Sequence, residues 1–119
     1  MDRRARGQWG EELAARAYTQ KGYRVVEKNY HTRMGEIDLV VEKDGMWIFA
    51  EVKTRAEKAP VSGAEAVDYR KQQKIIRAVQ YYLAQYNMGE AGIRFDVVEV
   101  THSEKTAPLV HIIPNAFTL

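Results

Sequence analysis

Apolar residues recur at three- and four-residue steps in two segments of the chain, and this spacing is typical of amphipathic helices. The first segment spans Trp9 to Lys21. The second begins at Ser62-Gly63-Ala64-Glu65, which has the form of a capping box, and extends to about Asn87. Glycines that follow the segments are expected to end the helices. They are Gly22, Gly89 and Gly92.

Shorter apolar runs predict five strands. They are Tyr23–Glu27, Glu36–Lys43, Met46–Lys53, Ile93–Thr101 and Leu109–Ile113. Asp44-Gly45 separates the second and third runs and is a strong hairpin signal. The charged segment from Thr54 to Val61 contains Pro60 and predicts an exposed loop. The order helix, three strands, helix, two strands predicts one α/β domain over residues 1–119, with helices packed on a mixed sheet.

The Asp44-Gly45 turn decides which side chains of the hairpin face each other. With these two residues as a type I′ loop, Asp38 lies opposite Glu51. Like charges at opposed positions destabilise strand pairing. Lys53 shares their face but is expected opposite Glu36, so it cannot compensate both acids. A hard divalent cation such as Mg²⁺ or Mn²⁺, which takes carboxylate oxygens, would neutralise the repulsion.

A simpler interpretation is that these charged side chains are a solvated end of the hairpin. Two observations favour a site. Val40 and Phe49 continue the same face, so the acids border an apolar patch, and Glu51-Val52-Lys53 is the only acid-x-Lys triplet in the chain. The opposite face is expected to be apolar throughout. Its residues are Ile37, Leu39, Val41, Ile48, Ala50 and Val52.

Four segments together carry a resemblance to a known family. They are Gly10-Glu11, Gly35-Glu36-Ile37-Asp38-Leu39-Val40, Glu51-Val52-Lys53-Thr54-Arg55 and Phe95-Asp96-Val97-Val98. Over nearly its whole length the chain closely resembles the YraN-like family of small bacterial proteins. It is more distantly similar to Holliday-junction resolvases and other nucleases of the PD-(D/E)xK type. The resemblance implies a restriction-endonuclease-like fold, in which helices flank a central mixed sheet.

The resemblance also implies the roles of the site residues. Asp38 and Glu51 would bind Mg²⁺ or Mn²⁺ together with the Val52 carbonyl, and Lys53 would orient or activate the attacking water. Glu11 would complete the metal site from the first helix, although the helix dipole alone also favours an acid there. The implied activity is hydrolysis of phosphodiester bonds in DNA, including branched or single-stranded DNA. Glu36 is interpreted either as a neighbour that orients Lys53 or as a plain surface acid.

Eighteen basic and sixteen acidic residues give a net charge of +2, so contacts to nucleic acid require segregated charge. A basic stripe on the second helix is interpreted as a phosphate-binding surface or as a solvated helix face. Its residues are Arg70, Lys74 and Arg77, with Lys71 at the edge. Further candidates for contact with nucleic acid are Arg3, Arg4, Arg6, Tyr30, His31, Arg33 and Arg55. Tyr81, Tyr82 and Tyr86 are expected in the core or at a subunit contact, which leaves a homodimer open.

The chain has no cysteine, which excludes a thiolate nucleophile and cysteine-based metal sites. No apolar run approaches the roughly 20 residues that span a bilayer, and the first residues form no apolar signal segment. We therefore expect a cytoplasmic protein without a membrane partner. Two alternatives to the nuclease stay open. One is a nucleic-acid-binding or assembly protein that retains the nuclease fold without turnover, and the other is a regulatory module that touches no nucleic acid.

Overall fold

The computed structural model describes residues 2–56, 67–103 and 105–118. Its elements are α1 (Arg3–Gln20), β1 (Arg24–His31), β2 (Glu36–Lys43), β3 (Met46–Ala56), α2 (Tyr69–Gln85), β4 (Gly92–His102) and β5 (Leu109–Phe117). The strands form one sheet in the order β1-β2-β3-β4-β5. β3 and β4 run parallel, and the other neighbouring strands are antiparallel. The predicted element order and α/β class are confirmed, and the architecture is consistent with a restriction-endonuclease-like fold.

The two helices cover opposite faces of the sheet, because alternate strand residues point to opposite sides. Ala14 and Tyr18 of α1 pack on one face, whose buried residues are Leu39, Val41, Ile48, Ala50, Val98 and Val100. α2 packs on the other face through Ile75, Ile76, Ala78, Val79 and Tyr82, against Val40, Phe49, Phe95 and Val97. Full burial of such aliphatic and aromatic side chains stabilises a fold by roughly 1.5–3 kcal/mol each. In the described part of the chain, no helix is both long and apolar enough to cross a membrane.

The β2–β3 hairpin has the predicted register. Asp44 and Gly45 both adopt positive φ, 52° and 82°, as a type I′ turn requires. Pairing then runs from Lys43 opposite Met46 to Leu39 opposite Ala50. β3 continues to Ala56, so the loop predicted from Thr54 cannot begin before residue 57. The rest of that predicted loop, residues 57–61, lies outside the described residues.

β1 is longer than predicted and forms a second hairpin with β2. The strand was predicted to end at Glu27, but the polar residues that follow continue it to His31. The turn that follows depends on Thr32, whose Oγ1 accepts hydrogen bonds from the backbone N–H groups of Met34 and Gly35, both at 3.1 Å. A Cβ at Gly35 would lie 2.9 Å from the carbonyl oxygen of Lys74, so glycine lets this turn pack closely against α2.

α2 begins at Tyr69 rather than in the Ser62–Glu65 segment. The side chain of Asp68 caps it by accepting a hydrogen bond from the Lys71 N–H at 2.9 Å. Because Asp68 has extended backbone angles, φ −74° and ψ 173°, the helix cannot run continuously from the predicted capping box, which lies outside the described residues. At the other end, the left-handed residue is Asn87, φ 54°, rather than either of the glycines expected to end the helix. Gly22 has φ 92° after α1, as predicted.

The prediction for Ile37 is wrong. It packs beneath α2 with Val40 and Phe49 instead of sharing the face of Leu39. The alternation of β2 is therefore broken between Ile37 and Leu39, at the position where the β2–β3 ladder ends. Across from this position, Asn29 of β1 has φ 52°.

Asp96 of β4 is fully buried and holds α1 on the sheet. Its carboxylate accepts hydrogen bonds from the Tyr18 hydroxyl at 2.7 Å and from Arg94 Nε and Nη2 at 2.8 and 2.9 Å. The Asn115 N–H of β5 donates a further bond at 3.1 Å. Burial and the neighbouring Asp96 charge raise the pKa of Tyr18, so this hydroxyl remains a donor. Asp96 is therefore satisfied from three elements.

The two outer strands are irregular. The pairing of β1 with β2 shifts register between Val25 and Glu27. β5 contains Pro114, which has no N–H to donate, followed by Asn115 with φ 53°. Here the β4–β5 pairing shifts register between Phe95 and Val97.

Gly7 and Gly10 provide a test of how α1 packs. Outside its own helix, no described atom lies within 4 Å of a Cβ built at Gly7, whereas a Cβ at Gly10 would overlap Thr54 Oγ1. We expect Gly7→Ala to stabilise the protein by up to about 1 kcal/mol, because alanine favours helix. Gly10→Ala should destabilise it by about 1–3 kcal/mol through overpacking. Urea unfolding measures both changes. Adding Thr54→Ala should restore part of the loss, and equal stability of the two glycine variants would contradict this packing.

Candidate active site

The carboxyl groups of Asp38 and Glu51 meet at the end of the β2–β3 hairpin. Each acid lies one residue beyond the last ladder pair, Leu39 with Ala50. The two carboxyl groups are close enough for the charge of Glu51 to act on Asp38, and Asp38 Oδ2 accepts a hydrogen bond from the Val52 N–H at 2.8 Å. Glu51 is 5% exposed, and Asp38 is partly buried. The structure thus brings together the two acids that the hairpin register placed opposite each other.

The proximity of Glu51 changes the protonation of Asp38. Burial and, after it, the negative charge of Glu51 raise the pKa of Asp38 to about 8, although the Val52 N–H acts in the opposite direction. Without a cation, Asp38 therefore keeps its proton at a pH at which an ordinary aspartic acid has lost it.

Two lysines contact the same oxygen of Glu51. Lys53 Nζ lies 3.1 Å from Glu51 Oε1, and Lys71 Nζ, which reaches the site from the first turn of α2, lies 2.6 Å from it. Burial and the nearby Lys71 ammonium group lower the pKa of Lys53. The predicted grouping of Lys53 with the two acids is present. The contact of Lys71 with Glu51 was not predicted, because the sequence placed this residue only at the edge of a stripe interpreted as binding phosphate or facing solvent.

Glu51 lies in the wall of a cavity of about 340 Å³ between the β1–β2 turn and α2. Its lining residues are Gly35, Glu36, Glu51, Asp68, Arg70, Lys71, Lys74 and Ile75. Three of these side chains are acidic and three are basic, so their formal charges cancel. The cavity therefore combines carboxylate oxygens with cationic groups that can bind an anionic ligand.

Glu11 lies on α1 directly after Gly10, on the other side of the Asp38–Glu51 pair. Burial raises the pKa of Glu11, and the charges of Glu36 and Glu51 raise it further, whereas a hydrogen bond with Asn29 lowers it. Among residues 2–56, 67–103 and 105–118, however, no group of three or more acidic or histidine side chains is close enough to hold a metal ion. Glu11 is therefore an electrostatic neighbour of the pair, and in this conformation it does not complete a three-carboxylate cluster with it.

Glu11 instead lines a second cavity, of about 390 Å³, beside the first turns of α1. The lining residues are Arg3, Arg4, Gly7, Gln8, Glu11, Asn29 and His31. The contact between His31 Nδ1 and Glu36 Oε2, at 3.1 Å, joins the rims of the two cavities. Of the two interpretations of Glu36, the structure favours the surface acid, because its side chain is exposed and contacts His31. Lys53 contacts Glu51 instead.

The predicted basic residues separate into different settings. Arg70 and Lys74 are exposed and line the 340 Å³ cavity beside Glu51. Arg77 is exposed one turn further along α2. Arg33 is exposed at the β1–β2 turn. Arg55 is held away from that cavity by an ion pair with Glu99, at 3.1 Å, in which both side chains are largely buried.

The predicted aromatic contacts also differ from one another. Tyr30 packs its ring against Tyr82 and donates a hydrogen bond to Gln85, so it belongs to the β1–α2 packing rather than to an open surface. Tyr82 is in the core, as one of the two interpretations expected. Tyr81 and Tyr86 are each half exposed.

The chain has an α/β fold that is consistent with restriction-endonuclease-like proteins, and its hairpin carries an acid pair beside Lys53. The profile of the family described as "Uncharacterised protein family UPF0102" matches residues 10–100, so the chain belongs to this family. A UPF0102 protein of Syntrophomonas wolfei is 45% identical over 111 residues, which cover 93% of this chain and 96% of that protein. A UPF0102 protein of Caldanaerobacter subterraneus subsp. tengcongensis is 40% identical over 119 residues, 98% of each chain. The resemblance to the YraN-like family is thereby confirmed.

The Asp38–Glu51 pair predicts an unusual pH dependence of stability. Because folding raises the pKa of Asp38 from 3.8 to about 8, the cation-free native state binds more protons than the unfolded state between these values. Stability should therefore fall as pH rises through this window. Asp38→Asn keeps an acceptor for the Val52 N–H and gains an amide donor toward Glu51, and it should remove most of this dependence.

Urea unfolding in chelator at several pH values checks this expectation. Relative to the parent protein, Asp38→Asn should become progressively more stabilising from pH 5 toward pH 8, by at least about 1 kcal/mol, because it removes both the burial of a charged carboxylate and its repulsion by Glu51. Asp44→Asn, at the exposed hairpin turn, controls for the change in net charge. A constant difference between parent and Asp38→Asn at every pH would show that Asp38 is an ordinary solvated acid.

Proposed function

We propose that this protein is a divalent-cation-dependent nuclease that hydrolyses phosphodiester bonds in DNA. The observation that carries the proposal is the meeting of the Asp38 and Glu51 carboxyl groups beside Lys53. Glu51 also lies in the wall of a cavity that is lined by three basic and three acidic side chains. Asp38, Glu51 and Lys53 are the residues proposed to act in the reaction.

The donor set fits Mg²⁺ or Mn²⁺. Mg²⁺ is commonly bound by one or two carboxylates, with waters and substrate phosphates completing its coordination. Asp38 and Glu51 would hold the cation, with the Val52 carbonyl as a further proposed ligand. When bound, the cation would supply charge neutralisation at the phosphate and a water of lowered pKa. Glu11 remains a proposed additional ligand, although the described residues do not group it with the other two acids.

The residues around the pair restrict how it can move. The Val52 N–H fixes the carboxylate of Asp38, and the β3–β4 ladder holds Glu51 opposite Val97. Both acids are thereby preorganised on strands rather than on loops. Such fixed groups need little rearrangement as charge develops in the transition state.

Lys53 is positioned to act on a proton or on developing charge. Its ammonium group contacts Glu51 Oε1. In the chain, Lys53 directly follows Val52, whose backbone N–H binds Asp38. Because burial and Lys71 lower its pKa, Lys53 gives up a proton more readily than an ordinary lysine. In the proposed reaction it orients the attacking water or donates a hydrogen bond to the phosphate oxygen.

The substrate would be held through its phosphates. Arg70 and Lys74 project from α2 into the same cavity as Glu51. Contacts from such side chains to phosphates position a nucleic acid without reading its bases. We therefore propose that strand geometry rather than base sequence determines cleavage, with branched and single-stranded DNA as the first substrates to compare with duplex.

Lys53→Ala provides the test of this function. If Lys53 serves the water or the developing charge, the variant should lose cleavage by at least about 100-fold, while its affinity for DNA stays within several-fold of the parent. Cleavage of branched, single-stranded and duplex DNA is measured with Mg²⁺, with Mn²⁺ and in chelator, and affinity by fluorescence anisotropy in chelator. Lys105→Ala changes an exposed lysine far along the chain and is the matched control.

Other outcomes would assign the protein to a different class. Salt-dependent binding to DNA without cleavage under any cation would identify a nucleic-acid-binding protein that keeps the fold without turnover. Absence of both binding and cleavage would favour a regulatory module that does not touch nucleic acid. Equal losses of binding and cleavage in Lys53→Ala would assign Lys53 to phosphate binding alone.

A further inference from the structure

Lys71 makes the shortest ion pair in the candidate site. Its Nζ lies 2.6 Å from Glu51 Oε1, while Lys53 Nζ is 3.1 Å from the same oxygen. Glu51 is almost fully buried, so its charge must be compensated by groups that reach it inside the protein. In the cation-free protein the two lysines provide this compensation.

The two lysines differ in their access to the cavity. Lys53 extends from a central strand, whereas Lys71 comes from the first turn of α2 and lines the cavity with Arg70 and Lys74. The side chain of Lys71 is 40% exposed, compared with 25% for Lys53. Lys71 can therefore leave Glu51 for the open part of the cavity, where its charge is better solvated, without any movement of the helix.

A divalent cation on Asp38 and Glu51 would change this balance. The charges of the cavity lining cancel in the cation-free protein, and a dication would leave an excess of positive charge. The ammonium group of Lys71 would then face a like charge bound to its own partner. Because both repulsion by the cation and attraction to a phosphate act in the same direction, Lys71 would move toward an anionic ligand in the cavity.

We propose that Lys71 is a cation-responsive phosphate ligand, which holds Glu51 in the cation-free protein and transfers to a backbone phosphate of the nucleic acid when a divalent cation binds. This inference rests on the proposed function and adds to it an order in which the cation and the nucleic acid bind. Binding of the cation prepares the site for the nucleic acid, and binding of nucleic acid strengthens the hold on the cation. Such a coupling must be reciprocal, because it is a free energy between two binding events.

Lys71→Gln distinguishes this role from a general attraction between the basic side chains of the cavity and the phosphates of DNA. Glutamine keeps a hydrogen-bond donor for Glu51 but removes the ammonium group that competes with the cation. Lys74→Gln is the matched control, since Lys74 lies one turn along the same helix and lines the same cavity. Lys71→Arg retains the positive charge and should behave like the parent.

The experiment measures two affinities for the parent and the three variants. Isothermal titration calorimetry gives the Kd for Mn²⁺ in the absence of DNA. Fluorescence anisotropy gives the Kd for a labelled single-stranded DNA in chelator and in Ca²⁺ at constant ionic strength, with the integrity of the strand checked on a gel.

We expect Mn²⁺ to bind Lys71→Gln several-fold more tightly than the parent or Lys74→Gln. Ca²⁺ should raise the DNA affinity of the parent, and this gain should be largely lost in Lys71→Gln. Lys74→Gln should bind DNA more weakly by a similar factor in both conditions and keep the gain. Thermal unfolding of each variant verifies that it is folded, and the gain in Lys71→Arg confirms that the charge at this position is responsible.

The outcomes distinguish failure of this inference from failure of the proposed function. If the parent binds Mn²⁺ and cleaves DNA, but Lys71→Gln and Lys74→Gln respond alike, the role of Lys71 is overturned and the nuclease proposal stands. A parent whose DNA affinity does not rise with Ca²⁺ likewise overturns the coupling. A parent that neither binds Mn²⁺ nor cleaves DNA overturns both.

Discussion

The left-handed turn at Asp44 and Gly45 fixes the pairing of β2 with β3, and the side chains of the candidate site take their positions from that pairing. A slip by one residue would turn the side chains of one strand to the other face of the sheet. The apolar residues on both faces oppose such a slip, because each face is covered by a helix. Burial of the core thus holds Asp38 against Glu51, although the negative charge of Glu51 opposes the ionisation of Asp38.

Two acidic residues are buried among the residues that the structure describes, and their surroundings differ in a way that bears on function. Asp96 accepts hydrogen bonds from Arg94, Tyr18 and the Asn115 backbone, in the space between α1 and the sheet. Its partners are fixed, so the group serves stability. Glu51 is compensated by two flexible lysine side chains at the edge of a cavity. A buried charge whose partners can move away is able to accept a different cation, and this property separates the candidate site from a structural ion pair.

Local sequence signals were sufficient where the structure depends on local chemistry. The turn at Asp44-Gly45, the cap at Gly22 and the order of elements follow from residues adjacent in sequence, and they were predicted correctly. The β1–β2 hairpin was missed because its turn is stabilised by the Thr32 hydroxyl rather than by a common turn dipeptide. The face of Ile37 was misjudged because the alternation of β2 breaks between Ile37 and Leu39, and the apolar pattern of the strand does not reveal this break.

The candidate site shows the same division between local and distant effects. Strand register predicted that the two acids and Lys53 would lie together, since these residues belong to one hairpin. The approach of Lys71 to Glu51 depends on where α2 starts and how it packs across the sheet, and neither is visible in the helical pattern. Glu36 contacts His31 and Arg55 pairs with Glu99, because long polar side chains bind whichever partner the fold brings near.

The irregular outer strands have a consequence for the protein at high concentration. An exposed strand edge offers unpaired N–H and C=O groups to any other strand, and regular edges promote aggregation. On β1 the register shift near Val25 and the left-handed Asn29 disturb this row of groups, and on β5 Pro114 and Asn115 do so. Neither edge is therefore a good template for a sixth strand. The same departures from regular geometry that shape the interior of the sheet also discourage its growth into larger assemblies.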